Sequence, residues 1–225
     1  MFRFLLPVLF LGAQLPVSAT VLTFAGDVCS LFADGSGAFA SCPNGASINQ
    51  AYGDSALVNF TYGASNINGS ASMQLWGDPN VYSDLPKAAY GFAFSSDVFI
   101  QMQALGGGTV TLGSFALGTT PPTFTRTAAV RVVDLATNTV VFSTGSVTVG
   151  GATATPFTPN VSSLVGLRLE VSGDMFNTGI GNFNFTADPG GAGGVPEPST
   201  IAMIGVGLAL VVCRRSFARV RTNRG

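Results

Sequence analysis

Leu167-Arg168-Leu169-Glu170-Val171-Ser172 alternates apolar and polar side chains without a break. In an extended chain successive side chains point to opposite faces, so this stretch puts three aliphatic groups on a core and two charges on the other side. The same rhythm returns at Phe183 and Phe185, set between Asn182, Asn184 and Thr186. It returns again at Ala128, Val130 and Val132 around Ala129 and Arg131, and at Val98, Ile100 and Met102 around Phe99 and Gln101. Residues 21–25, 56–62, 72–76, 110–117 and 140–149 are further candidate strands. Within 110–117 the parity shifts between Leu112 and Phe115, which predicts a bulge near Gly113 and Ser114. Gly, Asn, Asp and Pro separate the segments, and Asp134–Thr139 reads as a hairpin between two Val-rich strands. About nine or ten strands at this spacing argue for an all-β fold, a single β-sandwich of jelly-roll type, with a closed barrel as the alternative.

Composition narrows the chemistry. The chain has 225 residues, of which only 9% are charged, and no His. That removes His-based acid–base pairs, the Ser-His-Asp triad and His metal ligands. Three Cys without His do not complete a four-ligand zinc site. One Glu and nine dispersed Asp in residues 20–188 offer no recognisable pair of glycosidase carboxyls. Gly-x-Ser-x-Gly, a phosphate loop and Cys-x-x-Cys are all absent, so no enzyme is expected. In the same span Lys87, Arg126, Arg131 and Arg168 stand against those ten acids, a net charge of −6. Such a base-poor domain is a poor partner for nucleic acid, whose affinity comes largely from phosphate neutralisation.

The two ends read differently from the middle. Met1-Phe2-Arg3, an apolar run and the exit Val17-Ser18-Ala19 form a secretory signal peptide over 1–19, cut by signal peptidase after Ala19. Residues 20–188 are the ectodomain, and a flexible Gly-rich linker fills 189–195. Pro196-Glu197-Pro198 then precedes a membrane helix at about 199–213, whose 201–213 portion carries no charge. Arg214 and Arg215 open an Arg-rich tail that stays cytoplasmic by the positive-inside rule. Thirteen residues of helix cover only about 20 Å, short of the ~30 Å hydrocarbon core, so the preceding residues and snorkelling arginines must extend it.

Val195-Pro196-Glu197-Pro198-Ser199-Thr200, the apolar run and the arginines resemble the PEP-CTERM sorting signal, also known as the C-terminal module of some ice-binding proteins. The resemblance covers 196–225 and implies a bacterial protein processed by an exosortase, a membrane enzyme. Pro196, Glu197 and Pro198 would be its recognition motif, and Arg214 with Arg215 the membrane stop. An ice-binding solenoid would need ranks of Thr at a fixed period, which Thr109 and Thr111 alone do not supply. The middle also resembles the jelly-roll sandwiches of carbohydrate-binding and galactose-binding-like modules. Gln50-Ala51-Tyr52-Gly53-Asp54, Val110–Phe115 and Gly179–Phe185 carry that likeness, with Gly181 where the wider class often has Asp.

Cys29 and Cys42 flank twelve residues, and in an exported protein they are expected to pair, two free thiols being the alternative. Cys213 is expected to stay unpaired. No other cofactor is expected, and calcium is the one metal the composition leaves room for. Asp27, Asp174 and Asp188 are its candidate ligands, although no Asp-x-Asp-x-Asp-Gly loop is present and solvated loop carboxylates are the simpler reading. For sugars the best surface stretch is 76–84, where Trp76 and Tyr82 could stack on a pyranose ring and Asp78 and Asp84 bond its hydroxyls. A lone Trp in a sandwich is more often core. The expected function is therefore a surface or extracellular-matrix protein with a structural or binding role. The alternative is an exopolysaccharide-binding module, assisted by calcium.

Overall fold

The computed structural model describes residues 19–66, 69–92 and 97–189. The expected signal peptide before Ala19 and everything after Pro189, including the expected linker, the Pro196-Glu197-Pro198 motif, the expected membrane helix and Arg214-Arg215, lie outside the described residues. Fifteen strands follow in chain order: β1 (Thr20–Leu22), β2 (Cys29–Ser30), β3 (Ala46–Ile48), β4 (Val58–Asn66), β5 (Gly69–Ala71), β6 (Gln74–Trp76), β7 (Ala88–Tyr90), β8 (Asp97–Ala104), β9 (Thr109–Thr119), β10 (Thr125–Asp134), β11 (Thr139–Gly150), β12 (Thr155–Phe157), β13 (Val161–Ser163), β14 (Gly166–Gly173) and β15 (Thr178–Asp188).

They form two antiparallel sheets packed as a sandwich. One runs β12-β9-β15-β7-β6-β3-β2, with β1 paired to β15 and β13 to β9. The other runs β11-β10-β14-β8-β4-β5. The alternation read in the sequence is what buries the core: Leu167, Leu169 and Val171 of β14 are fully buried, as are Ile100 and Met102 of β8. From the nine-stranded sheet, Leu112, Phe115, Leu117, Ile180 and Phe183 enter the same cluster. The expected bulge is present, since Asn184 pairs with Ser114 while Phe185 pairs with Leu112, skipping Gly113. Because of it both Leu112 and Phe115 face inward.

Two departures have local causes. The strand expected over 21–25 ends at Leu22, because Phe24 turns into a left-handed backbone (φ 53). That turn drops its ring into the core, and the backbone N–H of Phe24 donates to the Tyr52 hydroxyl at 2.9 Å. Strands β2, β3, β5, β7, β12 and β13 have two or three residues each, too few for a period to register. At the open edge, β11 carries two register shifts against β10, and bulges of this kind twist an edge away from pairing with other chains.

Candidate functional site

The segment 77–87 lies over the outer face of the nine-stranded sheet, and the sheet is built to receive it. Ile180 and Leu117 point into the main core, so their neighbours Gly179, Gly181, Ala116 and Gly118 face outward. These four meet side by side, Gly179 opposite Gly118 and Gly181 opposite Ala116. On this floor of small residues Tyr82 and Leu85 pack with Ala88, Tyr90, Ala116 and Ala154 into a second core, flanked by Trp76 and Val81.

The four residues suggested for sugar contact all belong to this arrangement. Tyr82 is 2% exposed, so its ring offers no stacking face, contrary to the surface role suggested by the sequence. Its hydroxyl donates to the Phe176 carbonyl at 2.7 Å. The structure does bring Trp76 and Tyr82 together, with centroids 6.3 Å apart and rings edge-on, and Trp76 makes a like contact with Tyr90. Trp76 is half-buried, and its Nε1 has no hydrogen-bond partner among the described residues. Asp78 Oδ2 accepts from Asn44 Nδ2 at 2.5 Å, and Asn44 Oδ1 accepts from the Gly77 N–H at 2.8 Å. Asp84 Oδ1 accepts from the Ala154 N–H at 2.7 Å. Both carboxylates thus fasten the segment to neighbouring loops.

Burial holds the Tyr82 phenol well above its usual pKa, helped by the neighbouring Tyr90 and Asp174. The same cause raises the pKa of Tyr62, whose hydroxyl donates to the Tyr52 carbonyl at 2.7 Å. Both phenols therefore stay protonated in the fold at a pH where the unfolded chain ionises them, about 10. Their contribution to stability is complete below pH ~10 and is lost above it, by about 1.4 kcal/mol per pH unit for each group. Urea unfolding at pH 9 and pH 11 is expected to show a lower midpoint at pH 11, with a shallower fall in Tyr82→Phe. Equal midpoints at the two pH values would contradict this.

The three aspartates considered for calcium do not meet. Asp188 ends β15, while Asp174 lies in the turn that precedes its first residue, Thr178, so the length of that strand, about 30 Å at ~3.3 Å per residue, runs between them. Asp174 accepts from Asn177 Nδ2 at 2.9 and 3.1 Å and lies 3.6 Å from Arg126 Nη1. Asp27 is exposed beside Gly26, and among the described residues no group of three acidic or Cys side chains is placed to hold a metal ion. Cys29 and Cys42 are joined by a disulfide, with Cα atoms 5.2 Å apart.

The open face of the six-stranded sheet holds a constellation that the sequence reading passed over. Arg131 of β10 pairs with Glu170 of β14, Glu170 with Phe99 of β8, and Phe99 with Gly63 of β4. One transverse row thus reads guanidinium, carboxylate, aromatic ring and bare backbone. Glu170 is gripped from both sides: Arg168 Nε donates to Oε1 at 2.6 Å, and Arg131 Nε donates to Oε2. Phe99 lies over Gly63, so close that a Cβ there would stand 2.1 Å from the ring. Gln101 sits in the next row, between Arg168 and Thr61. A shallow cavity of about 190 Å³ opens on this face, lined by Phe99, Arg131, Glu170, Asp97 and Ser172 among others. The sequence shows these side chains on the solvent side of their strands, and only the strand order makes them neighbours.

The geometry thus defines an all-β sandwich, disulfide-bonded, with one polar face bearing an aromatic ring. Beyond it, residues 194–216 match the model of the PEP-CTERM protein-sorting motif. The match takes in Pro196-Glu197-Pro198, the uncharged run and Arg214-Arg215. No curated protein matches the chain. The motif implies an exported protein that is processed by an exosortase and sorted to the surface, and the Cys29–Cys42 disulfide is consistent with an extracytoplasmic location.

Proposed function

We propose that the sandwich is cargo: a bacterial cell-surface or extracellular-matrix domain with a structural or binding role and no catalysis of its own. In this reading signal peptidase removes 1–19, the segment at about 199–213 holds the chain in the membrane for a time, and an exosortase cuts near Pro196-Glu197-Pro198. The carrying observation is the sorting motif over 194–216, set directly after a self-contained sandwich. The Gly-rich linker would let the enzyme reach its motif. Expression with and without an exosortase, followed by fractionation and mass measurement, tests it. With the enzyme the chain is expected at the surface or in the medium, shorter by about 30 residues. Without it, the chain 20–225, its tail intact, should stay with the membrane. Identical size and location in both strains would end the proposal. A second reading, a module that binds exopolysaccharide, is favoured by the Phe99 row on the six-stranded sheet.

A further inference from the structure

We propose that the row Arg131–Glu170–Phe99, with Gln101 and Ser172 beside it, is a binding site for one sugar ring of a polysaccharide laid across the open face of the six-stranded sheet. The site gives a place and a chemistry to the polysaccharide-binding reading above, and rests on it. Three observations carry the assignment. First, the cavity of about 190 Å³ falls below the ~300 Å³ at which sites that engulf a free small molecule begin. It is partly open to solvent, which suits one ring of a longer ligand. Second, Phe99 has been given room to lie down. Any residue but glycine at position 63 would put a Cβ against the ring, 2.1 Å from Cε1 and 2.3 Å from Cζ. Phe99 therefore reaches over the bare backbone of Gly63 and stays half-buried, an aromatic ring in the wall of a cavity otherwise lined by charged and polar groups. Aromatic faces of this kind receive the C–H face of a pyranose.

Third, the polar groups around the ring are fixed in advance and mixed in kind. Glu170, with its side chain only 15% exposed, is held by two guanidiniums. A surface ion pair adds little stability, about 0–1 kcal/mol, so what this clamp supplies is orientation. A carboxylate that only accepts, guanidiniums that only donate, and an amide and a hydroxyl that do both lie within three adjacent rows of the sheet. Hydroxyl groups, donor and acceptor at once, match all of them, and pre-set partners lower the ordering cost of binding. Arg131 keeps 59% of its side chain exposed for this purpose.

The test is affinity electrophoresis of the full chain in detergent, through gels containing hydroxyethyl cellulose, dextran or polygalacturonate. Retardation is expected in at least one neutral-glucan gel. Phe99→Ala should weaken it at least tenfold, as should Gly63→Ala, whose new methyl lifts the ring off the sheet. Gln101→Ala, a change of one exposed-face side chain, should weaken it less, and Asp78→Asn, in the segment over the other sheet, should leave it unchanged. Thermal midpoints identify any variant that fails to fold, and Gln101→Ala then carries the comparison. No retardation in any gel, retardation by polygalacturonate alone, or Phe99→Ala migrating like the parent would overturn the site. Tail cleavage is scored separately: a chain cut normally that binds no glucan ends this site and leaves the export reading standing. A chain that binds but is never cut does the opposite.

Discussion

Removing the disulfide, by Cys29→Ala with Cys42→Ala, is expected to lower the thermal midpoint by about 6–12 °C. The bond closes a loop of thirteen-residue separation, and cross-linking a loop of that length removes unfolded-state freedom worth about 3 kcal/mol. Regular strand pairing around it is short, and the loop is otherwise held by single hydrogen bonds, such as those the Ala33 and Gly35 carbonyls accept from the Ser72 and Gln50 N–H groups. Strand β2 is two residues long, pairs with β3 only at Cys29–Ile48 and Ser30–Ser47, and meets Ala40 through a single bridge. The loop it closes is rich in Gly, Ala and Ser and leaves Leu31, Phe32 and Phe39 exposed, so burial does not hold it down. Alanine is the right replacement at position 29, which is fully buried in the main core, because serine would add an unpaired hydroxyl. Calorimetry of the double variant against the parent, with and without reductant, reads the difference. The parent with reductant should fall to the variant's midpoint, while equal midpoints for oxidised parent and variant would show that the bond contributes nothing.

How far the sequence could be read depended on the length of its signals. Strands of eight or more residues gave several turns of alternation, and β8, β10, β14 and β15 came out with the right residues inward. The bulge at Gly113 was also visible, since a parity change inside one strand is a local signal. The disulfide was legible from compartment and spacing together. What could not be read was which strands lie side by side. Glu170, Phe99 and Gly63 are separated by 71 and 36 positions in the chain, yet they form one row because β14, β8 and β4 are adjacent. Each alone is an unremarked outward residue. The segment 76–84 failed in the opposite way. Its Trp, Tyr, Asp, Asn and Pro composition is that of an exposed polar loop, and Asp78, Pro79, Asn80 and Asp84 are exposed, but the reason Tyr82 and the following Leu85 are buried lies about a hundred residues later, in two glycines of β15. Glycine in a strand reads locally as weakness, and its use as a place for another backbone to lie shows only once the layers are assembled.

That use makes a large single-residue effect expected outside the main core. Gly118→Val should cost upward of about 3 kcal/mol and free the 77–87 segment from the sheet. A Cβ at position 118 would stand 2.4 Å from the Tyr82 carbonyl oxygen, 2.9 Å from its carbon and 2.9 Å from Leu85 Cδ1. The first two are backbone atoms and cannot rotate away, unlike the Phe99 ring over Gly63. Moving them would break the bond from the Ser83 N–H to the Thr119 carbonyl (2.9 Å) and the return bond from the Thr119 N–H to Ser83 Oγ (2.9 Å). It would also pull the Tyr82 hydroxyl off Phe176 and open the second core, in which Tyr82 and Leu85 are almost fully buried. Gly113→Ala on the same strand is the matched control. Its Cβ would find nothing nearer than 3.5 Å, an ordinary contact, and its midpoint should stay close to the parent's. Urea unfolding gives the stabilities, and fluorescence of the single tryptophan reports the segment, since Trp76 packs edge-on against Tyr82 and Tyr90. If Gly118→Val unfolds at the same urea concentration as Gly113→Ala with its Trp76 emission unchanged, the segment does not rest on the glycine floor and Tyr82 is free to face solvent.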